Sequence, residues 1–146
     1  MQSESSSNPE SGALTELLQL SMAADPDAIA KVVDAISETL ARLQVPEQKG
    51  LEVALAVQEA LANAVVHGCG NDPTKFVHCR MQSDPDGRIV ITVTDPGPGF
   101  RPDLLADPKQ RENLYADHGR GVYLIRQLMD EVKFERNGNE IRMWKY

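Results

Sequence analysis

The chain has 146 residues, 41% apolar and 25% charged, which is the composition of an ordinary globular domain long enough to bury a core without staples. Its net charge of −7 and pI near 4.9 argue against sequence-independent nucleic-acid binding and against a polybasic membrane contact, both of which need clustered Lys and Arg. Cys69 and Cys79 fall in no CxxC or CxxH spacing, so free thiols are expected and a zinc site is not. No apolar run approaches the roughly 18 residues of a membrane span. The start, MQSESSSNPESG, has no basic or apolar region and does not read as a signal peptide, which makes the cytoplasm the expected compartment.

Residues 1–12 are too polar to offset their ordering entropy and read as a disordered tail, leaving 13–146 for the domain. Residues 14–22 carry leucines at 14, 17, 18 and 20, and periodicity leaves an edge strand and a short helix both open. Asp25-Pro26 is a helix start, with Asp as N-cap and Pro in the first turn. Ile29, Val32, Val33, Ile36, Leu40 and Leu43 then form one apolar stripe at helical spacing. A second helix begins near Pro46 and runs through Leu51, Leu55, Leu61 and Val65. It stops at His67-Gly68, where Gly can take the left-handed conformation.

A strand over about 75–82 follows, then the turn Asp84-Pro85-Asp86-Gly87. Residues 89–94, IVITVT, read as a β-branched buried strand ending in Asp95-Pro96-Gly97-Pro98-Gly99. The polar stretch 100–117 has little periodicity and reads as a functional or mobile loop. After Gly119-Arg120-Gly121 comes a third helix with Val122, Leu124, Ile125, Leu128 and Met129 on its buried side. Residues 132–135 and 141–144 flank Asn137-Gly138, a type I′ hairpin signal. Trp144 and Tyr146 read as sheet packing. These elements imply an α/β two-layer sandwich, with a mixed, mainly antiparallel sheet covered by helices on one face.

Chemistry concentrates in three places. Glu59, Asn63 and His67 stand four apart on the second helix, which stacks them on one side beside a Leu/Val face that must be core. The Asn63 amide oxygen is a hard ligand suited to Mg2+, and Glu59, one turn away, is placed to accept a proton from a nucleophile. The simpler reading is an exposed polar stripe. Asp95 closes a buried strand, where its carboxylate can accept from an exocyclic amine such as that of adenine. Gly97 and Gly99 would let a flat ring lie against the backbone, and the alternative is a plain proline-glycine turn. Gly119, Arg120 and Gly121 precede a helix and form either an anion site or a glycine-rich cap. No GxxxxGK[ST] or GxGxxG is present, which excludes a P-loop and a Rossmann fingerprint.

Together the three motifs resemble the ATP-binding domain shared by type II topoisomerases, heat-shock chaperones, mismatch-repair ATPases and histidine kinases. EALANAVVHG is similar to its N-box, DPGPGF to its first glycine box and HGRG to its second, over roughly residues 25–146. ADPDAI, the EAxxNAxxHG form of the N-box and GRGVYLIRQLMDEV resemble one branch, the bacterial anti-sigma factor serine/threonine kinases of sporulation and stress response. The resemblance implies a histidine-kinase-like ATPase fold with ATP and Mg2+. It makes Asn63 the metal ligand, Glu59 the general base and Asp95 the adenine contact. Gly97 and Gly99 would shape the base pocket, Gly119, Arg120 and Gly121 would hold phosphates, and 101–117 would form a lid. It implies a homodimer that holds a sigma factor and phosphorylates a small antagonist protein on serine or threonine.

Pro96 and Pro98 depart from a generic first box by removing two backbone donors. Lys109 and Arg111 in the lid are candidate γ-phosphate contacts, and the simpler reading is a solvated charge pair. His67 reads as a helix-end contact and His118 as a bracket of the lid. Two other functions stay open: a nucleotide-gated binding switch without phosphotransfer, and a histidine-kinase catalytic fragment. No dimerisation helix bearing an exposed His-Glu pair precedes the domain, which weighs against the latter.

Overall fold

The computed structural model describes residues 13–97, 121–135 and 139–146. The expectations placed on the tail 1–12, on Gly99, on the lid with Lys109 and Arg111, on His118, Gly119 and Arg120, and on the Asn137-Gly138 turn lie outside them.

Strand β1 (Thr15–Ala23) leads into helix α1 (Pro26–Arg42), then α2 (Glu47–Asn63), β2 (Phe76–Ser83) and β3 (Ile89–Thr94). Helix α3 occupies 121–128, and β4 (Glu131–Glu135) and β5 (Glu140–Lys145) close the described chain. The five strands form one sheet in the order β1-β2-β3-β5-β4, and every described pair is antiparallel. The open choice for 14–22 resolves as an edge strand, paired to β2 with a register shift between Glu16 and Leu18.

Alternation on the strands sends Val77, Cys79 and Met81 of β2, Ile89, Ile91 and Val93 of β3, and Ile141 and Met143 of β5 into one core. Helix α1 lies against β1 and α2, and α2 lies against β3 and β5. The α2 face that enters the core is Val53, Ala56, Val57, Ala60 and Leu61, mostly small residues that let the helix approach the sheet closely. Leu51 and Leu55, assigned to that stripe from sequence, sit on its flank at 54% and 40% exposure, and Leu43 and Leu124 are exposed as well. The opposite sheet face mixes polar side chains with the buried pair Val90 and Trp144. There Glu16 pairs with Arg80 at 2.8 Å, and Arg142 lies 3.5 Å from Glu140. Trp144 is fully buried beside its cross-strand neighbour Val90, and half-exposed Tyr146 stacks under the Arg88 guanidinium at 5.1 Å.

The helix ends follow local chemistry. The Asp25 carboxylate accepts from the Asp27 N–H at 2.9 Å, with Pro26 in the first turn. Gln44, at φ 60°, takes the left-handed position after α1. Lys145 of β5 pairs with Glu52 of α2 at 3.0 Å and donates to the Leu128 carbonyl of α3. That contact fixes the far ends of α2 and α3 side by side.

Candidate nucleotide site

Helix α2 carries Glu59 and Asn63 four residues apart, both half-buried, at the end that emerges from the core. The helix then widens. Residues Ala64–Gly68 form a π turn, in which the Cys69 N–H donates to the Ala64 carbonyl at 2.9 Å. Four-residue stacking holds only while the turn is α-helical. His67 therefore leaves the Glu59–Asn63 column and is exposed on the π turn.

The π turn delivers Gly68 to the end of β3. A Cβ on Gly68 would strike the Asp95 carboxylate, so a bare backbone is what allows the approach. This corrects the expected role of Gly68: the left-handed residues after the helix are Gly70 (φ 61°) and Asn71 (φ 59°), and Gly68 serves close packing instead. Gly97 meets Gly68 from the other side, and a Cβ there would collide with the Gly68 carbonyl. The Asp95 carboxylate accepts from the Gly97 N–H through Oδ1 at 2.8 Å, which leaves Oδ2 uncommitted in that bond. Partial burial pushes the Asp95 carboxyl above its ordinary value, and the Gly97 N–H partly counters that. Burial first and the Asp95 charge second hold the neighbouring Cys69 thiol protonated. Both cysteines are free, and burial pushes Cys79 up to about 12.

Asn139, a residue that carried no signal in the sequence, completes this corner. Its carbonyl accepts from the Asp95 N–H at 2.9 Å. Its side-chain Nδ2 donates to the Asp95 carbonyl at 3.0 Å and to the Gly97 carbonyl at 3.1 Å. In sequence Asn139 merely follows a turn dipeptide, and nothing marks it as a partner of a residue 44 positions earlier.

Gly121 brings the third motif to the first. A Cβ there would fall 2.9 Å from Asn63 Nδ2 and 3.3 Å from Asn63 Oδ1, so the start of α3 lies directly against the Asn63 amide. Of the eight sequence-assigned site residues, Glu59, Asn63, Asp95, Gly97 and Gly121 lie within the described residues. They are gathered through two contacts: Gly121 on Asn63, and Gly68 between Asp95 and Gly97.

A family model for the histidine kinase-like ATPase domain matches residues 22–145. The chain belongs to this family. It is 30% identical over 129 residues to an anti-sigma F factor of Geobacillus stearothermophilus, with 84% of each chain covered. It is 28% identical over 138 residues to a serine-protein kinase RsbW of Bacillus velezensis, covering 90% of this chain and 86% of that one. Among solved structures, the RsbU and RsbW domains of Rv1364c from Mycobacterium tuberculosis superpose with a TM-score of 0.60 at 18% identity, over 88% of this chain and 31% of that one. A histidine kinase domain from Erythrobacter litoralis gives 0.52 at 19%, over 82% of this chain and 59% of that one. These two likenesses confirm the α/β sandwich. The family and the curated relatives bear out the anti-sigma kinase resemblance read from the motifs.

The residues present fit a nucleotide. The glycine backbones of positions 68 and 97 let this corner close tightly around Asp95, which offers a carboxylate at the strand end. The buried Asn139 Oδ1 finds no hydrogen-bond partner among the described residues, so an acceptor is left over beside the turn. No group of three or more His, Cys, Asp or Glu among the described residues could hold a metal ion. A cation here would take one amide oxygen from Asn63 and the rest of its shell from phosphate and water, which is how Mg2+ accompanies nucleotides.

Proposed function

We propose that this chain is an ATP-dependent serine/threonine protein kinase that also acts as an anti-sigma factor, binding a sigma factor and phosphorylating a small antagonist protein. The observation that carries the proposal is the contact between Gly121 and Asn63, one helical turn from Glu59. It sets the start of a helix, where backbone N–H groups favour phosphate, against the amide that would hold Mg2+ and near a carboxylate. The curated relatives, named as anti-sigma factor and serine-protein kinase, support the same reading.

Asp95 accepts a hydrogen bond from the adenine amine, and Gly97 and Gly99 leave room for the ring. Gly119, Arg120 and Gly121 lie at the phosphates. Bound Mg2+ supplies charge neutralisation at the phosphate oxygens. Glu59 takes the proton of the acceptor hydroxyl as that oxygen forms a bond to the γ-phosphorus. The bond from γ-phosphorus to the bridging oxygen breaks, and ADP leaves with that electron pair. Such transfer rests on positioning and charge more than on covalent help from the protein. The working form is a cytoplasmic homodimer.

Incubation of the protein with γ-labelled ATP, Mg2+ and a lysate of the source organism tests the activity. A small acid-stable labelled protein, lost with Glu59→Ala while ATP still binds, is the expected result. Loss of a proton acceptor lowers the rate by roughly 10²–10⁴-fold. Unchanged transfer by Glu59→Ala refutes the base assignment. An acid-labile product would indicate histidine-type chemistry. No product with ATP bound would leave a nucleotide-gated binding protein.

A further inference from the structure

Asn139 makes a three-bond clamp on the turn at 95–97. The Asp95 N–H donates to its backbone carbonyl at 2.9 Å. Its Nδ2 donates to the carbonyls of Asp95 at 3.0 Å and of Gly97 at 3.1 Å. A primary amide has two N–H donors, and both are spent on this turn, which fixes which way the amide faces. Of the two carbonyls it holds, one belongs to Asp95, whose side chain would read the base, and the other to Gly97, whose N–H holds the Asp95 carboxylate. The opposite side of the turn is seated on the Gly68 backbone. Asp95 is therefore gripped from two sides, by the π turn and by the start of β5.

We infer that Asn139 is a positioning residue that sets the preference for adenine over guanine by holding the Asp95 carboxylate in one direction. The inference rests on the nucleotide reading of the site. Adenine presents an exocyclic amine to an acceptor, whereas guanine presents a carbonyl oxygen at the corresponding atom. A fixed carboxylate thus meets a donor in one case and a second acceptor in the other. A site built around a hydrogen bond rejects an analogue that cannot make it much more strongly than an apolar pocket rejects a change of size. Rejection requires that the carboxylate cannot turn. Guanine also carries ring and exocyclic N–H donors, and a carboxylate on a loosened turn can swing to accept from them. Oδ1 of Asn139, buried without a partner among the described residues, faces away from the turn carbonyls and would be satisfied by a water or ligand donor.

The test is the ratio of ATP to GTP affinity, measured by calorimetry with Mg2+ on the full chain and on Asn139→Ala, Asn139→Asp and Asn139→Ser. Thermal melts confirm that each variant is folded. Asn139→Ala should lower the ATP preference about tenfold, the worth of roughly one hydrogen bond. Asn139→Asp points oxygen at both carbonyls and should lower it further. Asn139→Ser keeps one donor on a shorter arm and should fall between wild type and Ala. A purely structural role would weaken both nucleotides in parallel, and a constant ratio across the folded variants overturns the inference. If Ala and Asp do not fold, an unchanged ratio in Asn139→Ser does so alone. Wild-type protein that binds neither nucleotide would overturn the nucleotide reading itself, an outcome visible without any variant.

Discussion

Replacing Gly121 with alanine separates the stability of the fold from the geometry of the site. The added methyl would sit 2.9 Å from Asn63 Nδ2 and 3.5 Å from its Cγ. Comfortable contact needs about 3.5 Å or more, so the amide must retreat by roughly half an ångström. Asn63 is a half-buried side chain at a helix end, and its tip can move at little cost. Gly121 lies at the start of the described part of α3, where alanine is better than glycine by up to about 1 kcal/mol. Apo stability should therefore hold or rise slightly. Binding is different, because productive constellations tolerate displacements of only about 0.5 Å. Misplacement on that scale should weaken Mg2+-dependent ATP binding roughly tenfold, given that about 1 Å can cost 10²-fold in catalysis. The assay is a thermal melt with and without Mg-ATP, backed by calorimetric affinity. A melting point at or above wild type with a reduced ligand-induced shift is the expected pair. Wild-type affinity for Mg-ATP in a folded Gly121→Ala protein would refute the assignment of Asn63 to the metal.

Asp95→Asn removes a carboxyl whose folded-state value is raised by burial, so the folded chain holds that proton more tightly than the unfolded chain. The sign follows: its contribution to stability is fully present below the unfolded value and is lost as pH rises through the raised folded value. At neutral pH the apo variant should match or exceed wild type in a thermal melt, with ATP affinity lost; a large fall in apo melting temperature would show that Asp95 serves the fold. Gly97→Ala places a methyl on the Gly68 carbonyl group, 2.8 Å from its carbon, and backbone cannot yield as the Asn63 tip can. It should cost about 1–3 kcal/mol of stability, and a wild-type denaturation midpoint would contradict the close approach.

The parts of the fold that were legible in the sequence are those where one local signal acts alone. Asp25-Pro26 states a helix start in two residues, and IVITVT states a buried strand in six. Residues 14–22 were ambiguous because LTELLQLSM neither alternates cleanly nor repeats at helical spacing. Only pairing with β2 decides the matter, and that pairing spans more than fifty positions. Leu51 and Leu55 misled for a related reason. Over its middle, helix α2 reaches the sheet through Val53, Ala56, Val57 and Ala60, and Leu51 and Leu55 fall outside the contact that closeness creates. At the candidate site, Glu59, Asn63, Asp95, Gly97 and Gly121 could be singled out because each sits in a motif with its own chemistry. The π turn and Asn139 were not. A wide turn is not written in AVVHG, and the clamp exists only once β5 is paired to β3.

Those illegible features share a location with several local departures from easy folding. The helix widens at Ala64–Gly68, a carboxylate is partly buried at Asp95, and an amide oxygen at Asn139 is buried without a partner among the described residues. Bare glycine backbones are pressed together at positions 68 and 97. Each works against stability: poorer hydrogen-bond geometry, desolvated charge, an unmet acceptor, backbone entropy. Scattered over the surface they would be unrelated accidents of drift. They converge instead on one corner, joined by direct contacts or hydrogen bonds, while the core beside it is packed from ordinary aliphatic residues. A cluster of such departures in one contiguous patch is a mark of a functional site. Two of the departures, the Asp95 carboxylate and the Asn139 oxygen, are hydrogen-bond acceptors, which a ligand carrying N–H donors would satisfy. An adenine amine is such a donor, so the same atoms that weaken the empty fold are those that would favour the nucleotide.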